Sequence, residues 1–226
     1  GVYFVANDSY RPNPENAVHT FCHCIDHTWH QMAVILSAAS CLSWVTQLTG
    51  YKDEASLLSE IEKLDFSKPS QVTFLPYLSG ERTPHNNPNA QGVFFGLGHN
   101  TDSAELGRAV LEGIAFAFAD AQQAMLTAGT QIDTVSVIGG GSVSQLWGKI
   151  LASVLNRNLV YGHGGEVGPA YGAARLAKIG LNSMPAGQVC VAPKVKYIIK
   201  PHAIMSGYYP KQHLKYQQLY QSLKHH

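Results

Sequence analysis

Charge is what this chain lacks most: Asp, Glu, Lys and Arg make up 14% of its 226 residues, against about 25% in ordinary soluble domains. So little charge leaves surface that suits another protein segment, a second copy of the chain included, although α/β enzymes are often charge-poor too. Sixteen basic against fifteen acidic residues give a net charge of +1 with no basic run, which excludes a partner that presents a phosphate backbone, as nucleic acids do. Long hydrophobic runs are missing as well. The stretch from His27 to Tyr51 carries no Asp, Glu, Lys or Arg, but Gln31, Ser37, Ser40, Ser43, Thr46 and Gln47 interrupt it too often for a bilayer. Cysteine is sparse, at Cys22, Cys24, Cys41 and Cys190, with no secretory leader ahead of it in this sequence. Reduced thiols and a cytoplasmic location are the expectation. No Gly-x-Ser-x-Gly elbow and no cysteine with a plausible base is present, so hydrolase chemistry finds no support.

What is there alternates between strand-like and helical patterns. Val2–Val5 reads as a strand, the Pro- and Asn-rich residues 7–15 as a turn, and Val18–Ile25 as a second strand folded back on the first. Met32, Ile35, Leu36, Ala39 and Leu42 recur at helical spacing, which predicts a helix over 29–48 ended by Gly50. A shorter helix is expected over 52–64 and a strand over 72–78. The loop-rich segment 79–98 is long enough to suggest a functional role. Thr101 or Asp102, the latter with Glu105 three residues on, can cap a long helix that runs to about Thr127. A strand over 134–138, a helix over 144–155, a strand over 159–161 and a proline-opened helix over 169–179 follow, with a final helix over 211–223. This order predicts an α/β domain with strand-helix units on a largely parallel sheet.

Gly139-Gly140-Gly141-Ser142-Val143-Ser144, set between a strand and a helix, is the most informative motif. Glycines let a backbone approach a flat base or a phosphate, and a helix N-terminus supplies unpaired N–H groups. The same residues match a dinucleotide-binding Gly-x-Gly-x-x-Ser pattern with Glu166 as the ribose acid, yet the third glycine is absent and the motif falls late in the chain. Other clusters carry less. Cys22, His23, Cys24, His27 and His30 invite a zinc reading, but their spacing departs from common structural zinc sites and no metal ligand is assigned. Glu81-Arg82 reads as a loop ion pair or as a cation offered to phosphate. Glu112 and Asp120, eight apart on one helix, are too far apart for a carboxylate pair and are read as packing or capping groups.

Three segments together point further: Phe74-Leu-Pro-Tyr-Leu-Ser-Gly-Glu-Arg-Thr-Pro-His85 running on to Asn89-Ala-Gln-Gly92; Gly139–Ser144 with Trp147; and Gly168-Pro-Ala-Tyr-Gly-Ala-Ala-Arg175-Leu-Ala177. They resemble the C-terminal half of the FGGY family of carbohydrate kinases, over residues 1–180. The resemblance implies an actin-like ATPase, ribonuclease-H-like fold, with a mixed sheet and helices on both faces. It implies one nucleotide-binding domain, 1–226, divided into a core (1–180) and a C-terminal extension (181–226), with a sugar-binding domain expected upstream. By resemblance, Gly139, Gly140 and Gly141 lie along the adenosine of ATP or ADP, Ser144 contacts the nucleotide, and Gly96 comes near its phosphates. The implied reaction transfers the γ-phosphoryl of ATP, with Mg2+, to a ketopentose. The catalytic aspartate and most sugar contacts would precede Gly1, so no catalytic residue is assigned here. A non-catalytic actin-like module that binds nucleotide or a partner is the alternative.

Overall fold

The computed structural model describes residues 1–165 and 168–226. Its centre is a 25-residue helix, Ser103–Thr127, with strands and helices from both the earlier and the later parts of the chain packed against it. Of the two candidate caps, Asp102 is the one used, its carboxylate accepting the Glu105 N–H at 2.9 Å. Val110, Leu111, Ile114, Ala121 and Met125 are fully buried.

The N-terminal sheet differs from expectation. Strands β1 (Val2–Asn7) and β2 (His19–Cys22) do not pair with each other; both run antiparallel to β3 (Trp29–Val34), in the order β1-β3-β2. The residues of β3 were expected to open a helix. Gln31, Ala33 and Ile35 are buried while His30, Met32 and Val34 are half-exposed, a period of two. That alternation outweighs the helical spacing, and Trp29, Val34 and Ile35 favour a strand. Helix α1 therefore spans only Ala39–Leu48.

Helix α2 (Glu54–Ile61) is capped by Asp53, and β4 (Thr73–Leu75) pairs antiparallel with β5 (Val93–Phe95). Strand β4 stops three residues short of the expected Leu78, because Pro76 cannot donate to a ladder. The central helix is α3. Beyond it, β6 (Thr134–Ser136), α4 (Gln145–Leu155) and β7 (Asn158–Gly162) form the expected strand-helix-strand unit, with β6 and β7 parallel. The parallel sheet goes no further: the described strands fall into three small sheets, and β6–β7 is their only parallel pair.

Helices α5 (Pro169–Asn182) and α6 (Ala186–Val189) follow. The residues after 180, expected as an extension, contribute to sheet and core alike. Strand β8 (Val195–Ile199), unanticipated in the Lys/Tyr-rich stretch, runs antiparallel to β7. Helix α7 (Ala203–Leu223) starts eight residues before the expected Lys211 and carries the exposed Pro210 within it. Met205, Tyr209, Tyr216 and Tyr220 form its buried stripe.

Candidate functional site

The glycine triplet forms one open turn. After β6, the Val137 N–H still donates to the Val160 carbonyl of β7, and the Gly139 N–H then donates to the Gly165 carbonyl at 2.9 Å. Gly139 has φ +86° and ψ −176°, a backbone conformation that is nearly glycine-only. A single 3-10 turn, Gly140–Val143, leads to Ser144, which caps α4: its Oγ accepts the Trp147 N–H at 3.2 Å. Accepting that bond leaves the hydroxyl proton free to donate. A Cβ built on Gly140 would meet nothing within 4 Å, whereas one on Gly141 would lie 2.9 Å from the buried Trp147 ring. Gly139, Gly140, Gly141 and Ser144 thus share one solvent-open turn at the positive end of α4.

Gly96 lies elsewhere, at the end of β5 with φ +90°, and a Cβ on it would strike the Gln71 carbonyl at 2.6 Å. It lines a cleft of about 580 Å3 with Lys68, Ser70, Gln71, His99 and Thr101; none of residues 139–144 lines that cleft. Glu166, the acid of the dinucleotide pattern, lies outside the described residues.

The 79–98 loop holds a feature that sequence spacing missed. Glu81 is only 2% exposed and is not paired with the Arg82 side chain. Its Oε1 accepts the Leu36 N–H at 3.0 Å and the Arg82 N–H at 2.7 Å, while its buried Oε2 has no partner. Burial pushes this carboxyl up to about 7, against the lowering effect of the two backbone donors. Thr83 braces the same strand end: its Oγ1 accepts the Val34 N–H and donates to the Ala17 carbonyl. Arg82 is exposed and reaches the Asn86 side chain at 3.4 Å.

Glu112 and Asp120 are packing groups, as expected. Glu112 accepts from Arg108 Nε at 2.9 Å and from the Tyr209 hydroxyl at 3.1 Å; Asp120 bonds His213 and Gln217. Both tie α7 to α3. Among the described residues no group of His, Cys, Asp or Glu is arranged to hold a metal ion. His30 instead stacks on Phe4 at 4.9 Å, with His23 edge-on to both rings. All four cysteines are free thiols, and no helix among the described residues is long and apolar enough to cross a membrane.

The chain superposes on the xyloylose kinase from Brucella ovis with a TM-score of 0.91 and 43% identity, covering 98% of this chain and 46% of that one. On the xylulose kinase from Rhodospirillum rubrum, 24% identical, the TM-score is 0.83. The fold is thus an α/β, actin-like ATPase fold. Residues 4–181 match the model of the C-terminal domain of the FGGY family of carbohydrate kinases, and the chain belongs to that family. The xylulose kinase of Escherichia coli (strain K12) is 50% identical over 182 residues, 80% of this chain, and the glycerol kinase of Citrifermentans bemidjiense is 34% identical over 187 residues. The chain spans 37% of the length of either relative.

Proposed function

We propose that this chain is the nucleotide-binding half of an ATP-dependent sugar kinase that phosphorylates D-xylulose to D-xylulose 5-phosphate. The sugar is that of the xylulose kinases this chain resembles, and the nucleotide role rests on the open turn between β6 and α4. In this reading Gly139, Gly140 and Gly141 let the backbone lie along the adenosine, where a side chain would fill the space. The Ser144 hydroxyl, with its proton free, donates to the nucleotide, and Gly96 comes near the phosphates. ATP supplies the phosphoryl group; such transfers need positioning, charge neutralisation and a carboxylate that accepts the hydroxyl proton.

That carboxylate and most sugar contacts are assigned to the part of the relatives that this chain does not match. Mg2+ enters this reading with the nucleotide, whose phosphate charge it would neutralise. A cytoplasmic location, fitting four free thiols, belongs to the same reading. Association with a second copy is a further proposal, carried by the low charge content and read by sedimentation.

The test compares the full-length protein with residues 1–226 alone, following ADP formation over a panel of pentoses and hexoses. The full-length protein should turn over xylulose fastest and the 226-residue chain should turn over none. Nucleotide binding without any sugar-dependent turnover by the full-length protein would favour the non-catalytic module. Turnover by the 226-residue chain would overturn the division of labour.

A further inference from the structure

The glycine turn has a back as well as a face. On the open side a Cβ on Gly140 meets nothing within 4 Å, whereas a Cβ on Gly141 would lie 2.9 Å from Cζ3 and 3.5 Å from Cε3 of the Trp147 ring. Gly139 is held to glycine by its φ of +86°, but Gly141 has no positive φ. What excludes a side chain at Gly141 is therefore the ring.

Trp147 is itself fixed. It lies in the first turn of α4, is 5% exposed, and gives its backbone N–H to the Ser144 hydroxyl at 3.2 Å. A buried ring in a close-packed site keeps one orientation, so the backbone resting on it inherits that position. The indole Nε1 is buried and meets no acceptor among the described residues, so the ring acts on the turn by contact and not by a hydrogen bond. The rest of the frame is backbone: the Gly139 N–H donates to the Gly165 carbonyl at 2.9 Å and the Ser142 N–H to the Gly139 carbonyl at 3.0 Å. From β8, Tyr197 stacks on Tyr161 at 4.6 Å and brings its hydroxyl 3.5 Å from the Ser142 carbonyl. Gly140 thus faces open space from a turn that has a rigid ring behind its next residue.

We propose that Trp147 is a positioning residue for the nucleotide: its ring sets how far the Gly140–Gly141 backbone stands out from α4, and so where the flat face of a base is received. The inference rests on the reading of this turn as the adenosine wall and adds the side chain that stands behind the wall. Trp147 acts only through the backbone it supports.

The test is the ADP affinity of the full-length protein carrying Gly141→Ala, Trp147→Phe or both. The methyl of Gly141→Ala pushes the backbone off the ring, and affinity should fall about tenfold, the scale of overpacking. Trp147→Phe withdraws the support without leaving a new polar group unpaired, and affinity should fall about threefold. In the double variant the smaller ring makes room for the methyl. The loss should then be no larger than for W147F alone, where independent effects would multiply to about thirtyfold. Hydrogen exchange at the Gly139 and Ser142 amides should follow the same pattern, faster in each single variant and restored in the double. Both readouts are taken where melting curves show the variants folded, and W147F decides alone if G141A does not fold. A ring that serves stability only would lower melting temperatures and leave ADP affinity unchanged; that result, or losses that multiply, would overturn the positioning role. Wild-type protein that binds no ADP would refute the nucleotide reading, and the exchange comparison would still decide whether Trp147 sets the turn.

Discussion

The two most informative parts of this chain are built in opposite ways. Around α3 and α7 the polar groups are bonded to one another inside the protein: Glu112 with Arg108 and Tyr209, Asp120 with His213 and Gln217, Tyr77 with Tyr216 and His85. Between β6 and α4 the turn is open, and nothing in the protein fills the space beside Gly140. The glycines sharpen the contrast. A Cβ on Gly113 would lie 2.4 Å from the Phe74 carbonyl and one on Gly80 2.7 Å from the Pro88 carbonyl, so those two are glycine because the protein itself leaves no room. Packing within the chain does not require Gly140 to be glycine; a ligand laid against the backbone would. On the proposed reading, stability and nucleotide recognition are carried by separate regions, and substitutions should affect one without the other.

The largest effect expected is on stability. Glu112→Ala leaves Arg108 buried without its carboxylate and should cost about 3–5 kcal/mol, read by urea unfolding. ADP affinity, measured under conditions where the variant remains folded, should be unchanged; a parallel loss of affinity would break the separation.

Next comes the pH dependence set by Glu81, beside the end of β3. Burial raises the Glu81 carboxyl from 4.5 to about 7. A raised carboxyl favours the folded state while it is protonated, so its contribution is complete below pH 4.5 and is lost as the pH rises through 7. Glu81's own contribution, read as the stability of the 226-residue chain minus that of its Glu81→Gln variant, should fall between pH 5 and pH 8; burial pushes His85 down to about 4, which opposes this in the total slope below pH 6.5. An equal slope in the variant would assign the effect to another group.

The smallest expected effect joins the two regions. Ser144→Ala removes the cap of α4 and should cost about 1 kcal/mol of stability, read by thermal unfolding, together with a modest loss of ADP affinity from the missing hydroxyl. Lost stability with unchanged ADP affinity would reduce Ser144 to a cap.

Much of this was legible in the sequence, because the relevant signals are local. Asp102 and Glu105 marked the start of α3, and the apolar run into the glycine triplet marked β6, its turn and α4. Strand β3 was misread because Met32, Ile35 and Leu36 fit helical spacing while the neighbours that bury Gln31 and Ala33 are remote in sequence. Strand β8 is defined by pairing with β7, and its exposed Lys196 and Ile198 give no clean alternation. Glu81 escaped notice for a related reason. Its neighbours Leu36 and Gly1 are far away along the chain, and a Glu-Arg pair in a loop ordinarily faces water.

The measurement that reaches the central claim most directly is the ADP affinity of full-length protein carrying Gly140→Trp. A side chain built there meets open space, so the fold should keep its melting temperature. The ring would occupy the face assigned to the adenosine, and ADP affinity should fall about ten- to hundredfold, the range expected of overpacking by 1–3 kcal/mol. Wild-type affinity in a folded Gly140→Trp protein would contradict the account and place the nucleotide elsewhere.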